Sequence, residues 1–213
     1  MRYLVLAVLI LFFFSSSTVF AAKPVSPGNG KVFEPIPGSV CIDPGHGGSD
    51  IGATNNDLLE KEVNLEVAFL LKARLEAEEH IVFMTRTSDV YRSNADRYNH
   101  CDSEKAAILI SIHHNGSTDS SVDYTTALYM KKRDVPLAQI VAETVSSQLE
   151  LSNHGVSSFA SGVLIKSDMP ATISEGFFLT NSTEYNLIKN SNRLEQEADA
   201  LFDAITTYFA AYP

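Results

Sequence analysis

The sequence predicts a single α/β domain with a central, mostly parallel (mixed) sheet and helices on both faces. Three observations predict it. Apolar runs of strand length alternate with stretches whose apolar residues recur at helical spacing. The strongest run, residues 106–113 (AAILISIH), is almost continuously apolar, as in a strand covered on both faces. Three of the apolar runs end in polar, chemically capable residues, and in open parallel sheets ligands collect at the carboxyl ends of strands.

The elements follow in order. Residues 39–43 (SVCID) form a short strand that runs into the Pro44-Gly45 turn. Residues 63–77 carry Val63, Val67, Leu70, Leu71 and Leu75 on one helical stripe. Residues 81–85 (IVFMT) read as a buried strand, residues 106–113 as the central one and residues 125–130 (TTALYM) as a weaker one. A helix over residues 136–149 has Pro136 near its start and Leu137, Ile140, Val141, Val145 and Leu149 on its stripe. Residues 171–178 are a further strand. Leu194, Ala198, Leu201, Ile205 and Phe209 mark a closing amphipathic helix.

The first residues are different in kind. Arg2, the apolar run 3–14 and the small-residue segment ending Val19-Phe20-Ala21-Ala22 have the order of an export signal over residues 1–22. The run is shorter than the ~20 apolar residues of a spanning helix. No stable membrane anchor is therefore expected after cleavage. Residues 23–36 (KPVSPGNGKVFEPI) lack periodicity and read as a linker, leaving 37–213 as the domain. A formal net charge of −10 disfavours nucleic acid and anionic lipid as partners. The two cysteines, Cys41 and Cys101, fit either a disulfide in an exported protein or two small buried thiols.

The polar strand ends supply the chemistry. They are Asp43-Pro44-Gly45-His46, Ser111-Ile112-His113-His114-Asn115 and Ser174-Glu175-Gly176, and Glu60 opens the first helix. Singly, each has an ordinary structural explanation: a turn histidine, a carboxylate complementing a helix dipole, a strand-end imidazole. Together, two histidines and a glutamate suit a catalytic zinc, which keeps three protein ligands and one open position. A further carboxylate that is not a ligand can accept a proton from water. There is no compact His-Glu-x-x-His helix motif, so spacing alone does not specify the site.

The motifs are more specific. Ile42-Asp43-Pro44-Gly45-His46-Gly47-Gly48-x-Asp50-x-Gly52-Ala53 resembles the opening motif of the zinc-dependent N-acetylmuramoyl-L-alanine amidases, the type-3 family of cell-wall hydrolases. So do Glu60-Lys61-x-x-Asn64-Leu65, Thr85-Arg86 with Asp89 and Arg97, Ser111-Ile112-His113-x-Asn115, Pro170-Ala171 and Glu175-Gly176-Phe177-x-x-x-Asn181, in the family's order and over roughly residues 38–212. The resemblance implies zinc held by His46, Glu60 and His113, with Glu175 as the catalytic carboxylate. It implies a sheet flanked by helices, and hydrolysis of the amide between N-acetylmuramic acid and L-alanine in peptidoglycan. The destination of the exported chain is then periplasm, wall or medium. The chain is expected to act as a monomer on peptidoglycan, with an unidentified regulatory or targeting protein as a further partner.

Two departures stand out. The family usually has a small residue after the second histidine ligand, where this chain has His114. Strand alternation makes it improbable that both His113 and His114 are ligands; motif register selects His113, leaving His114 to line the groove or support the site. Residues 116–161 read as only one strand and one helix, too little for the self-inhibitory helix some relatives insert. The supporting roles expected are Asp43 or Asn115 orienting a ligand imidazole, Arg86 anchoring the strand-to-loop junction through an ion pair, and Lys61 and Asn64 as structural residues. Rival readings are a zinc peptidase cutting within the stem peptide, a non-catalytic wall-binding module and a zinc carrier. Released products separate the first, a missing ligand or carboxylate the second, a closed ligand shell the third.

Overall fold

The computed structural model describes residues 33–213. The segment read as an export signal and most of the linker lie outside the described residues. Of the linker's end, Phe33 packs against the domain and the Ile36 N–H donates to Lys105 O at 2.8 Å.

In chain order the elements are β1 (Val40–Pro44), β2 (Thr54–Asn55), β3 (Leu58–Leu59), α1 (Glu60–Ala77), β4 (Val82–Met84), α2 (Asn94–Ser103), β5 (Ile108–Asn115), β6 (Thr125–Tyr129), α3 (Val135–Gln148), β7 (Asn153–Ser158), α4 (Gly162–Lys166), β8 (Ala171–Phe178), α5 (Ser182–Asn190) and α6 (Arg193–Ala211). Six strands form one sheet in the order β4-β1-β5-β8-β6-β7. Strands β4, β1, β5 and β8 are parallel; β6 runs antiparallel to β8, and β7 parallel to β6. The sheet is therefore mostly parallel and mixed at one edge.

Helices α1, α3 and α6 cover one face. Val67, Leu71 and Leu75 of α1, Leu201, Ala204 and Ile205 of α6 and Leu137, Val141 and Val145 of α3 share one apolar core, with α6 packed against both α1 and α3. Each of the valines, leucines and Ile205 contributes about 1.5–3 kcal/mol on full burial. Leu70, assigned to the same stripe, is only half-buried. On the other face α2 and α4 cover Cys41, Leu109, Ala171 and Ile173 with Cys101, Val163 and Leu164. There Cys41 and Cys101 are joined as a disulfide across 60 positions of sequence. Helix α4 has only five residues, and this face stays open over β6 and β7, where a recess is lined by side chains of both strands.

The short hairpin, α2, β7, α4 and α5 were not legible as periodic segments. Helix α2 is held by a capping box between Ser93 and Asp96, and its buried positions are Arg97 and Cys101, so no apolar stripe marks it. Strand β7 (NHGVSS) has no fully buried position because it lies at the sheet edge. Residues 116–161 thus hold two strands and a helix rather than one of each. The helix that begins the motif Glu60-Lys61-x-x-Asn64 starts at Glu60 itself, with Glu60 and Glu62 complementing its dipole.

Candidate active site

Register brings the polar strand ends together. Asp43 of β1 pairs with Ser111 of β5, His113 of β5 with Glu175 of β8, and Glu175 with Thr126 of β6. Side chains alternate along a strand, so Asp43, Ser111, His113 and Glu175 line one recess of about 420 Å³.

Ligand atoms of His46, Glu60 and His113 lie within 4.8 Å of one another. Glu60 Oε1 is 3.1 Å from His46 Nε2 and 3.1 Å from His113 Nδ1. Tetrahedral zinc with bonds of about 2.0–2.1 Å separates its ligand atoms by roughly 3.3 Å, so two of the three edges already match. The donor set is also the right one for a borderline-soft divalent ion with one open position. These residues therefore fit a zinc ion.

The close approach depends on two glycines. A Cβ on Gly45 would fall 2.3 Å from the His113 ring, and one on Gly52 would fall 2.4 Å from Glu60 Oε2 and 2.8 Å from His46 Cδ2. His46 itself has φ 58, a left-handed conformation that histidine tolerates better than most residues. It is held there by Arg97 Nη2, which donates to His46 O at 2.8 Å.

Each ligand is fixed from behind. His46 Nδ1–H donates to Asp50 Oδ1 at 2.8 Å, the carboxylate–histidine pair that sets the tautomer of a ligating imidazole. Glu60 Oε2 accepts from Ala53 N–H at 2.7 Å, and Oε1 accepts from His114 N–H at 3.1 Å and Asn64 Nδ2 at 3.4 Å. Asn64 Nδ2 also donates to Gly45 O at 3.2 Å. Asp50 was not singled out as the imidazole's partner, although it stands four residues beyond His46 within the opening motif.

The two residues proposed for that role do something else. Asp43 accepts from Thr85, Ser111 and Arg97 and touches no imidazole. Burial works against its charge, but the Arg97 guanidinium and these hydrogen bonds outweigh it and hold the carboxyl below its ordinary range. Asn115 lines the recess beyond Glu175. Arg86 does anchor the strand-to-loop junction, but through carbonyls: it donates to Pro44 O at 2.9 Å, Gly45 O at 2.8 Å and Lys61 O at 2.7 Å. Lys61 pairs with Asp89 at 2.6 Å and donates to Gly48 O at 3.0 Å. Asn181 caps α5 by accepting from Thr183 and Glu184 N–H.

His113 and His114 face opposite ways. His114 is buried in the α1–α6 face, packed at a tilt of 43° against Phe177 with ring centroids 4.2 Å apart. Its Nδ1–H donates to Asn64 Oδ1 at 2.7 Å and its Nε2–H to Glu197 Oε2 at 2.8 Å. Burial disfavours the imidazolium, but the Glu197 carboxylate outweighs it and raises the pKa. His114 neither joins the ligand cluster nor lines either recess.

Electrostatics set the protons. Burial works against charge on His46, yet Glu60 and Asp50 lift its pKa to about 8. Burial also works against the Glu60 carboxylate, and His113 and His46 overcome it, leaving the carboxyl far below its ordinary range. Glu175 goes the other way. Burial and the Glu60 charge raise its pKa, with His113 and His114 offsetting part of the rise. Its Oε2 is buried without a hydrogen-bond partner. A carboxyl poised in this way is suited to take up and release a proton.

The family described as N-acetylmuramoyl-L-alanine amidase (Amidase_3) matches residues 40–207. The N-acetylmuramoyl-L-alanine amidase LytC of Bacillus subtilis strain 168 is 32% identical over 175 residues, covering 80% of this chain and 35% of LytC. The probable cell wall amidase LytH of Staphylococcus aureus is 32% identical over 187 residues, 86% of this chain and 62% of LytH. The chain thus spans less than two thirds of either curated relative. A solved N-acetylmuramoyl-L-alanine amidase from Clostridium difficile 630 has a TM-score of 0.78 at 32% identity, covering 83% of this chain and 99% of that one. With a match that runs from β1 into α6 and contains the whole His46–Glu60–His113–Glu175 constellation, the chain belongs to the Amidase_3 family of N-acetylmuramoyl-L-alanine amidases.

Proposed function

We propose that the chain is an exported zinc amidase that hydrolyses the amide bond between N-acetylmuramic acid and L-alanine in peptidoglycan. One observation carries the reading: the ligand atoms of His46, Glu60 and His113 lie within 4.8 Å of one another, and His46, His113 and Glu175, the last in register beside His113 on the adjoining strand, line the same recess. His46, Glu60 and His113 would hold the metal. Zinc bound there supplies Lewis acidity, polarising a carbonyl and lowering the pKa of a water. Asp50, through His46 Nδ1, and Asn64, through Glu60 Oε1, keep the ligands oriented. Glu175 accepts the proton of the attacking water. As the water oxygen bonds to the lactyl carbonyl carbon and the C–N bond breaks, Glu175 returns that proton to the leaving nitrogen of L-alanine. Its raised pKa makes it a stronger base than an ordinary carboxylate for the first half of the transfer.

Export is supported by the apolar segment before Ala21-Ala22 and by the Cys41–Cys101 disulfide, since such bonds persist in oxidising compartments. Digestion of purified peptidoglycan, with and without a chelator, tests the activity. Whole stem peptides released from intact glycan, and lost on chelation, are expected by mass spectrometry; fragments cut within the stem peptide would indicate a peptidase instead. Glu175→Gln should keep stoichiometric zinc and lose at least about 100-fold in rate; wild-type turnover in that variant would refute the assignment of Glu175.

A further inference from the structure

Glu175 stands between two recesses with different chemistry. On the α2 side, the recess of about 420 Å³ is lined by Arg92, Asn94 and Ser161 beside the ligand cluster. On the β6–β7 side, a second recess of about 340 Å³ is lined by Asn115, Tyr124, Thr126 and His154. Glu175 lines both.

The α2-side recess has two arginines, and only one is committed. Arg97 is held by Asp43, Pro44 O and His46 O. The Arg92 guanidinium is exposed and has no hydrogen bond or ion pair among the described residues. Of the acidic groups nearby, Asp43 is engaged by Arg97, Asp50 by His46 and Asp96 by the Ser93 cap; Arg92 acts on Asp96 only through the field that helps lower its pKa, without a direct contact. An uncommitted cation beside the reaction centre of a chain with net charge −10 is a specific cue for an anionic group.

The second recess has no arginine or lysine in its lining. Instead Tyr124 and His154 stack with centroids 3.7 Å apart and planes 9° from parallel, and Phe178 braces Tyr124 edge-on at 4.6 Å. A rigid, flat, amphipathic pair next to neutral hydrogen-bonding groups suits the C–H face and hydroxyls of a sugar ring.

Resting on the amidase reading, we propose that the substrate crosses Glu175 in one direction, with the glycan over the Tyr124–His154 pair and the acidic stem peptide toward Arg92. The peptide side brings carboxylates, which Arg92 can pair; the sugar side of the substrate is neutral and polar, and beyond Glu175 the second recess offers it hydroxyl, amide and aromatic groups.

The two products provide the test. The dipeptide L-Ala-D-Glu, its diamide and a GlcNAc–MurNAc disaccharide whose lactyl carboxylate is capped as the amide, neutral as in the substrate, are titrated separately into the full chain, with chemical-shift changes giving each affinity. Arg92→Gln should weaken L-Ala-D-Glu about threefold to tenfold, the scale of one partly exposed charge-assisted contact. It should also erase the preference for the dipeptide over its diamide and leave the disaccharide unchanged. Tyr124→Leu should do the reverse, weakening only the disaccharide. If that variant melts early, His154→Ala at the exposed edge tests the same pair. A reversed pattern, an equal effect on both products or no effect on either overturns the proposal. The functional reading is tested apart from it, on peptidoglycan. Wild-type release of stem peptides without the product pattern would sink the direction alone, and the pattern without release would sink the amidase reading alone.

Discussion

Gly52→Ala probes the packing that lets two ligand side chains share one small volume. The new methyl would lie 2.4 Å from Glu60 Oε2, 2.8 Å from Glu60 Cβ and 2.8 Å from His46 Cδ2. Ordinary contact begins at 3.4 Å, so the carboxylate must retreat about 1 Å, and Glu60 Cβ, at the first position of α1, has little room to follow. Such overpacking costs about 1–3 kcal/mol, and alanine at φ +68 adds about 1–2 kcal/mol. Zinc–ligand distances tolerate about 0.2 Å, so zinc affinity should fall by at least about 100-fold. Gly155→Ala separates the two costs: its φ is +73, yet nothing lies within 4 Å of the added carbon. That control should lose only the backbone share in a urea melt and bind zinc as wild type does. Competition against a chromophoric chelator measures the affinity. Wild-type zinc affinity in Gly52→Ala, or an equal loss in Gly155→Ala, would refute the packing explanation.

Three further outcomes are expected. Asp50→Ala should keep the fold and weaken zinc about 10- to 100-fold, as for other partners of a ligating histidine; an unchanged affinity by the same competition would count against the Asp50–His46 bond as a support. Metal uptake must displace the proton held on His46, whose metal-free pKa is raised to about 8. Apparent zinc affinity should therefore drop up to about tenfold per pH unit below 8, and the stabilisation this proton gives the metal-free fold is complete below about 6.5 and lost as pH rises through about 8. Calorimetry in buffers of different ionisation enthalpy would register the released proton. Replacing Cys41 and Cys101 together by serine should cost about 4 kcal/mol for a closed loop of 60 residues and lower the melting temperature by roughly 10 °C; a melt within a degree or two of wild type would contradict this.

How much could be read in advance depended on whether burial was apolar. Strands β1, β5 and β8 announced themselves because both their faces are covered, and their polar ends marked where His113 and Glu175 would meet. The helix α2 was missed because it buries an arginine and a half-cystine, and those residues signal nothing until Asp43 and Cys41 are placed opposite them. Strand β7 pairs along the edge with polar side chains, which look like loop. The disulfide stayed open as one of two readings because a separation of 60 residues carries no distance. Alternation separated the faces of His113 and His114, but nothing local to His114 points to Glu197, 83 residues further on.

That last contact gives α6 a reach its position does not suggest. Glu197 touches His114, His114 touches Asn64, and Asn64 touches both Glu60 and the carbonyl of Gly45. Substitutions on a helix wholly outside the groove would then register as changes in metal affinity, with every residue of the reacting surface left as it was. A search for variants that tune this centre can begin on its far side.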